Sequence, residues 1–280
     1  MYGPPSTPTP SDRVDERAAS SAADRALARG VLYAALALGF RRPDAAALAR
    51  LAAPASDTAL AEGARLLDED SGTAGRLAAA ASAVLARRPR EVAEASDRYD
   101  ALFGHTARGR VCLYETEYGP DRLFQQPRAL ADLAGFYRAF GFELQRNPAE
   151  RPDHVGCECE FMGLLCMKEA ALGLPELPLA DEEATETREA TERAERRFLA
   201  DHLGRMGPAL AAALAREDPD GFYGHLGRLL ARVVEYDAAR LGVTLGPASL
   251  ALRPVVEDAT PMACDPGPEL IQIQGLRGRR

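Results

Sequence analysis

Chemically active side chains are concentrated in residues 150–162, which read Glu-Arg-Pro-Asp-His-Val-Gly-Cys-Glu-Cys-Glu-Phe-Met. A histidine and cysteines could bind a metal, a Cys–His pair could act as a nucleophile, and the acidic residues could bind arginine. These three kinds of chemistry need different geometries. The spacing of the residues on the predicted elements therefore helps to choose among the three.

A metal site would use His154 with Cys157, Cys159 and Cys166. On a helix, at about 100° per residue, Cys157 lies about 60° from His154, whereas Cys159 and Cys166 lie on a stripe roughly 160° from Cys157. Cys159 and Cys166 are also about 10 Å apart along the axis, which is too far for shared zinc ligation. The spacing argues against this site, and a metal-, haem- or thiol-dependent protein using these four residues is the alternative interpretation.

A thiol nucleophile would pair Cys157 with His154 at i,i+3, because a cysteine needs a nearby base. The segment has no glycine-rich turn that could supply an oxyanion hole, so a buried helix thiol is the simpler interpretation. The sequence also contains neither GxGxxG nor GxxxxGK[ST], so no dinucleotide or Walker-type phosphate site is indicated. We predict no catalytic residue, no metal and no cofactor.

The acidic residues Glu150, Asp153, Glu158 and Glu160 surround His154. Such a cluster suits an arginine-containing peptide, since carboxylates and guanidinium groups form charge-assisted hydrogen bonds. The structural alternative places Asp153 in the first turn of a helix, where an acid complements the helix dipole, with His154 partly buried beside it. The spacing supports both interpretations equally.

A second candidate segment, residues 111–120, places Tyr114 and Tyr118 among Glu115 and Glu117. Exposed aromatic residues between acids would suit a basic and apolar peptide. Loop aromatics that fill the core between helices are the alternative, and this segment taken alone slightly favours it.

The composition restricts the class of protein. The chain has 280 residues with 34 Lys+Arg against 42 Asp+Glu, a net charge of −8, which disfavours nucleic-acid binding and basic membrane-surface binding. No apolar run approaches the ~18–20 residues of a membrane span, and the N-terminus lacks a secretion signal. Five cysteines at irregular spacing do not suggest a disulfide framework. We therefore expect a cytoplasmic protein that neither binds nucleic acid nor inserts stably into a membrane.

Apolar residues recur at three- and four-residue steps through most of the chain, with no strand pattern or repeat. The sequence therefore predicts an all-α fold, a single bundle-like domain of about nine to ten helices. We expect a disordered tail over residues 1–22, the helical domain over 23–245 with a linker near 174–184, and an irregular tail over 246–280. One helix is expected to end near Leu203 and the next to begin near Leu210.

These segments resemble the TorD/DmsD/NarJ family of cytoplasmic redox-enzyme maturation chaperones. The resemblance rests on residues 114–119 (Tyr-Glu-Thr-Glu-Tyr-Gly), 125–126 (Gln-Gln), 130–141, 150–154 and 158–162, in family order and separation. It spans roughly residues 24–242. Each segment alone is a weak signal, but the combination is fairly specific.

The resemblance implies a non-enzymatic, all-helical chaperone. Such a protein binds the twin-arginine signal peptide, the apo-form, or both, of a molybdopterin-containing oxidoreductase subunit, assists cofactor insertion and delays export until folding is complete. The resemblance is compatible with a monomer and with a domain-swapped dimer. The residues that we expect to bind the peptide or client are Asp153, His154, Glu150, Glu158, Tyr114, Glu117, Tyr118, Gln126 and Tyr137.

Overall fold

The computed structural model describes residues 10–104, 109–119, 126–143, 150–174 and 180–252. Within these ranges the protein is all-α, as the sequence predicts, with ten α-helices and no strand. The helices are α1 (Pro10–Phe40), α2 (Ala45–Leu51), α3 (Pro54–Ser71), α4 (Arg76–Arg87), α5 (Val92–Phe103), α6 (Gln126–Ala139), α7 (Val155–Ala171), α8 (Asp181–Phe198), α9 (Gly204–Glu217) and α10 (Phe222–Leu241). A 3-10 turn spans Glu115–Glu117 and a π-helical segment spans Leu199–Leu203.

Helices α1 and α7 pack along each other at the centre of the domain. Glycines permit this close approach: a Cβ at Gly30 of α1 would lie 3.2 Å from Met167 Sδ, and one at Gly163 of α7 would lie 3.4 Å from Tyr33 Cβ. Helix α3 packs on α1, and α10 packs on α4 and α9. Helix α1 therefore supports α7, which carries several of the candidate residues.

A buried ionic cluster joins four helices. The guanidinium of Arg29, on α1, donates to Asp237 of α10 (Nε–Oδ1 2.6 Å), to Glu169 of α7 (2.6 Å) and to Glu195 of α8 (2.9 Å). The Tyr33 hydroxyl donates to Asp237 Oδ2 at 2.7 Å. We call these five residues the Arg29 cluster. Its charges are buried together, so they compensate one another instead of being hydrated.

Helices α8 and α9 follow one another through the π-helical segment, where the sequence analysis predicted a break between Leu203 and Leu210. That prediction is wrong. Pro208 lies inside α9, and it has no N–H to donate to the carbonyl of Gly204. The Gly246 N–H donates to this carbonyl instead, at 2.9 Å. A tertiary contact thus satisfies the acceptor and lets the helix continue past the proline.

Two predicted boundaries also differ. Helix α1 begins at Pro10, so residues 10–22 belong to the first helix; they contain no glycine or further proline, and proline is well suited to a first helical position. Helix α8 begins at Asp181, inside the predicted linker. Residues 1–9 and 253–280 lie outside the described residues, as do Cys264 and most of the predicted tails.

No helix in the described ranges combines the length and apolar character needed to cross a membrane.

Candidate functional site

The structure brings the two candidate segments together. The Glu115 N–H donates to the Asp153 carbonyl and the Val155 N–H donates to the Leu113 carbonyl, both at 2.8 Å. Tyr114 and His154 form an isolated antiparallel bridge between these bonds. Residues 111–119 and 150–155, separated by helix α6 in the chain, therefore form one unit at the start of α7.

Arg151 lies at the centre of this unit. Its guanidinium forks onto Asp153 (Nε–Oδ1 3.0 Å, Nη2–Oδ2 2.8 Å). Nη2 also donates to Thr116 Oγ1 at 2.9 Å, and Nη1 lies 3.5 Å from Glu117 Oε1. Asp153 itself is fully buried, whereas the side chain of Arg151 is 32% exposed. A surface arginine thus compensates a buried carboxylate.

Tyr114 covers the other side of this arginine. The Arg151 guanidinium carbon lies 4.5 Å from the centre of the Tyr114 ring, within the range of a cation–π interaction. The Tyr114 hydroxyl donates to Glu150 Oε1 at 3.0 Å. Burial raises the pKa of Tyr114, and the Glu150 carboxylate raises it further, so the hydroxyl keeps its proton and its role as a donor.

His154 is the N-cap of α7. Its Nδ1 accepts from the Gly156 N–H at 3.0 Å, which requires the neutral ring with the proton on Nε2. Burial lowers the pKa of His154 to about 4, while Glu150 and Asp153 act in the opposite direction. Nε2 is buried and has no hydrogen-bond partner among the described residues. The imidazole is thus a neutral cap with an unused donor.

Glu158 follows one turn later and is fully buried. Neither of its carboxylate oxygens has a hydrogen-bond partner in the described part of the chain. Burial raises the pKa of Glu158 well above its ordinary value, and the nearby carboxylates of Glu115 and Asp153 add to this effect. The uncharged form of Glu158 is therefore favoured more strongly than that of an exposed glutamate.

Glu115 links this unit to the π-helical segment. Its carboxylate contacts His202 Nδ1 at 3.0 Å and Arg205 Nη1 at 3.3 Å. A cavity of about 500 Å³ adjoins these three residues, between α6 and the start of α9. The sequence analysis missed Thr116, His202 and Arg205, because no local motif marks them and only the fold places them beside Glu115.

Three predicted residues hold the loops in place. The Tyr118 hydroxyl donates to the Cys112 carbonyl and the Tyr137 hydroxyl donates to the Pro152 carbonyl, each at 2.7 Å. Gln126 Nε2 donates to Glu117 Oε1 at 3.3 Å. Both tyrosine side chains are buried, which fits the alternative in which loop aromatics fill space between helices. Their assignment to client binding stays a prediction.

The predicted open acidic cluster is not present as such. Asp153 and Glu158 are buried, while Glu160 is exposed and pairs with Arg41 at 2.6 Å. Asp153 also precedes the N-cap and does not belong to the first turn of α7. Helical spacing alone does not indicate that these two carboxylates are buried, and the assignment of Asp153 and Glu158 to peptide binding stays a prediction.

The cysteines are buried. Cys112, Cys157, Cys159 and Cys166, the four cysteines that the structure describes, are buried thiols, and burial raises the pKa of Cys112 to about 11 and that of Cys157 to about 12. A nucleophilic cysteine needs the opposite shift. Among the described residues, no group of three or more His, Cys, Asp or Glu side chains is arranged to hold a metal. In this part of the chain, the geometry thus gives the metal and thiol interpretations no support.

Comparison with known proteins identifies relatives. The model of the nitrate reductase delta subunit family matches residues 64–212, more than half of the chain and all of the predicted site residues. A selenate reductase assembly chaperone protein from Thauera selenatis is 33% identical, and a chlorate reductase assembly chaperone protein from Ideonella dechloratans is 32% identical, each over 132 residues. Each match covers 47% of this chain and 62% of the relative. No solved structure matches the chain significantly. The chain belongs to the nitrate reductase delta subunit family.

Proposed function

We propose that this protein is a cytoplasmic assembly chaperone, without catalytic activity, for a molybdopterin-containing oxidoreductase subunit. It binds the twin-arginine signal peptide of that subunit, its apo-form, or both, and so delays export until the cofactor is in place. The observation that carries this proposal is the family match, because the matched residues contain the whole candidate site. Two similar proteins that are named as reductase assembly chaperones support it.

The charges of the site suit the arginines of a signal peptide. Asp153 and Glu117 already surround one guanidinium, that of Arg151, with carboxylate oxygens, and Tyr114 covers it with the face of its ring. The Glu150 carboxylate lies beside them and accepts from the Tyr114 hydroxyl. Bidentate contact to a carboxylate and stacking on an aromatic ring distinguish arginine from lysine. The same groups therefore provide the chemistry that a peptide arginine requires.

An aromatic face next to these charges suits the apolar stretch that follows the arginines. Phe136 on α6, and Phe140 and Phe142 just beyond it, are partly buried and pack around Phe161 with ring centroids 5.8–6.4 Å apart. Tyr137, on the same helix, holds Pro152 beside the site. An apolar segment bound along α6 would thus continue directly from arginines bound near Asp153.

The test is calorimetric titration of the full chain with a synthetic peptide that carries two arginines followed by an apolar stretch. Its sequence should come from a reductase precursor encoded beside this protein. We expect saturable binding that weakens as salt rises, since the site pairs carboxylates with guanidinium groups. Titration with the full-length precursor extends the test to the rest of the client.

A peptide in which both arginines are replaced by lysine is the matched control, and it should bind at least tenfold more weakly. If neither the arginine peptide nor the precursor binds at low salt, the proposed function is wrong. Elemental analysis and an absorption spectrum of the purified protein test the competing metal or haem interpretation. A stoichiometric metal lost in Cys157→Ser would favour that alternative.

A further inference from the structure

The side chain of Arg151 is arranged as a bound ligand would be. Its fork onto Asp153, its bond to Thr116 Oγ1 and its position over the Tyr114 ring engage both edges and one face of the guanidinium. We propose that Tyr114, Thr116, Glu117 and Asp153 form a guanidinium-binding pocket that Arg151 fills in the free protein, and that an arginine of the client displaces it. The second half of this inference rests on the proposed function.

The pocket does not depend on Arg151 for its shape. The Asp153 carboxylate also accepts from the Thr116 N–H at 3.2 Å and from Thr116 Oγ1 at 2.7 Å. The Asp153 carbonyl accepts from the Glu115 N–H. These bonds keep the carboxylate oriented when the guanidinium leaves. A second guanidinium would therefore meet a preformed receptor, which lowers the entropic cost of binding.

Arg151 can leave without crossing the core. Its side chain is about one third exposed, and its α-carbon lies in the connection that precedes α7, outside any helix. Water and a competing guanidinium can both reach it from the open side. An incoming arginine replaces each broken contact with an equivalent contact, so the buried Asp153 carboxylate is paired before and after the exchange.

Self-occupancy lowers the affinity for the client. If Arg151 fills the pocket for about 90–99% of the time, the apparent affinity for an incoming arginine is reduced about 10–100-fold. A variant whose residue 151 binds the pocket less well should therefore bind the peptide more tightly. A residue that merely helped to bind the peptide would behave in the opposite way when changed.

The first experiment measures the affinity of the twin-arginine peptide for the full chain carrying Arg151→Lys. This substitution keeps a positive charge beside Asp153, so folding is preserved, but it removes the fork and the stacking. We expect peptide binding to tighten tenfold or more. Arg193→Lys is the matched control, since Arg193 is exposed and pairs with the equally exposed Glu189 on α8, and it should leave the affinity unchanged.

The second experiment needs no client. Arg151→Ala should lower the melting temperature, and millimolar ethylguanidinium chloride should restore part of the loss by filling the empty pocket. Ethylammonium chloride at the same concentration should restore less, because it cannot form the fork. The parent protein and Arg193→Ala should show no difference between the two salts.

The two experiments separate the inference from the proposed function. If the parent binds the peptide but Arg151→Lys binds it no more tightly, or if ethylguanidinium rescues no better than ethylammonium, the inference is overturned and the proposed function stands. If no protein binds the peptide or the precursor, the proposed function falls together with the displacement step. Selective rescue then still supports the pocket, and its absence refutes it.

Discussion

Two arginines in this protein fork onto buried aspartates, and their surroundings differ. Arg29 is only 1% exposed and is surrounded by Asp237, Glu169 and Glu195 from three other helices. Arg151 contacts Asp153 from a neighbouring position in the same loop and is 32% exposed. Arg29 connects four helices in the core, whereas Arg151 occupies a site at the surface that solvent can reach.

The comparison shows that similar ion-pair chemistry can serve two purposes. In the Arg29 cluster, no water or ligand can replace the guanidinium without separation of helices, so its role is structural. Near Arg151, solvent reaches the guanidinium. Nε2 of His154 and both carboxylate oxygens of Glu158, in the same region, have no hydrogen-bond partner within the described ranges. In the Arg29 cluster most polar side-chain atoms are hydrogen-bonded or ion-paired. In the candidate site several buried polar atoms have no partner among the described residues.

The largest effect is expected in the Arg29 cluster. Arg29→Met should lower the free energy of unfolding by up to about 3–5 kcal/mol, because the buried carboxylates of Asp237 and Glu195 then depend for their counter-charge on the partly exposed Arg240. Urea denaturation followed by circular dichroism measures the loss. Arg25→Met is the control, since Arg25 pairs with Asp70 at the surface and should change stability by less than ~1 kcal/mol. If the two substitutions lowered stability equally, Arg29 would contribute no more than a surface arginine, and its structural role would be refuted.

Asp153→Asn should have a smaller effect on stability and a larger one on binding. The loss of the charged hydrogen bonds should cost about 1–3 kcal/mol of stability, since the partly exposed Arg151 can turn towards water. The protein should therefore fold, but its affinity for the twin-arginine peptide should fall more than tenfold. Asp201→Asn, at an exposed acid on the π-helical segment, is the control. Normal peptide affinity for a folded Asp153→Asn variant would exclude Asp153 from the pocket.

His154→Ala should cost about 0.5–2 kcal/mol, the typical contribution of an N-cap, and its effect should depend on pH. The folded pKa of His154 is about 4 and the unfolded value is about 6.5, so the unfolded state binds more protons in this window. The parent therefore loses stability as pH falls from 6.5 towards 4, and the alanine variant lacks this loss. Urea denaturation at pH 7.5 and pH 5 should show a smaller difference between the two proteins at pH 5.

Glu158→Gln should have the smallest effect and the opposite sign. Burial raises the pKa of Glu158 in the folded state above its unfolded value of about 4.5. Between these two pKa values the folded state binds more protons than the unfolded state, so the parent loses stability as pH rises from 4.5 towards the folded pKa. Glutamine has no proton to lose, so urea denaturation should show the variant to be more stable than the parent at pH 7.5. The gain should shrink at pH 5. A variant that is less stable at pH 7.5 would show that Glu158 is charged and paired in solution.

The sequence predicted the local features of the fold well. Helical periodicity is a property of neighbours at three and four residues, so the all-α class and most helices could be read directly. The exceptions have identifiable causes. A break was predicted between Leu203 and Leu210, but the helix continues through Pro208, and the N–H of Gly246 satisfies the carbonyl that the proline leaves free. Residues 10–22 suggested a tail by composition, yet they contain no helix breaker after Pro10.

The candidate site was predicted in part. The sequence itself determined which residue types gather in residues 111–120 and 150–162, and it thereby indicated carboxylates and aromatics suited to arginine. Only the tertiary structure decided that these segments join, that Asp153, His154 and Glu158 are buried, and that Arg151 fills the space between Asp153 and Tyr114. The physical reason is that burial and pairing depend on contacts between residues more than 30 positions apart, and no local pattern encodes such contacts.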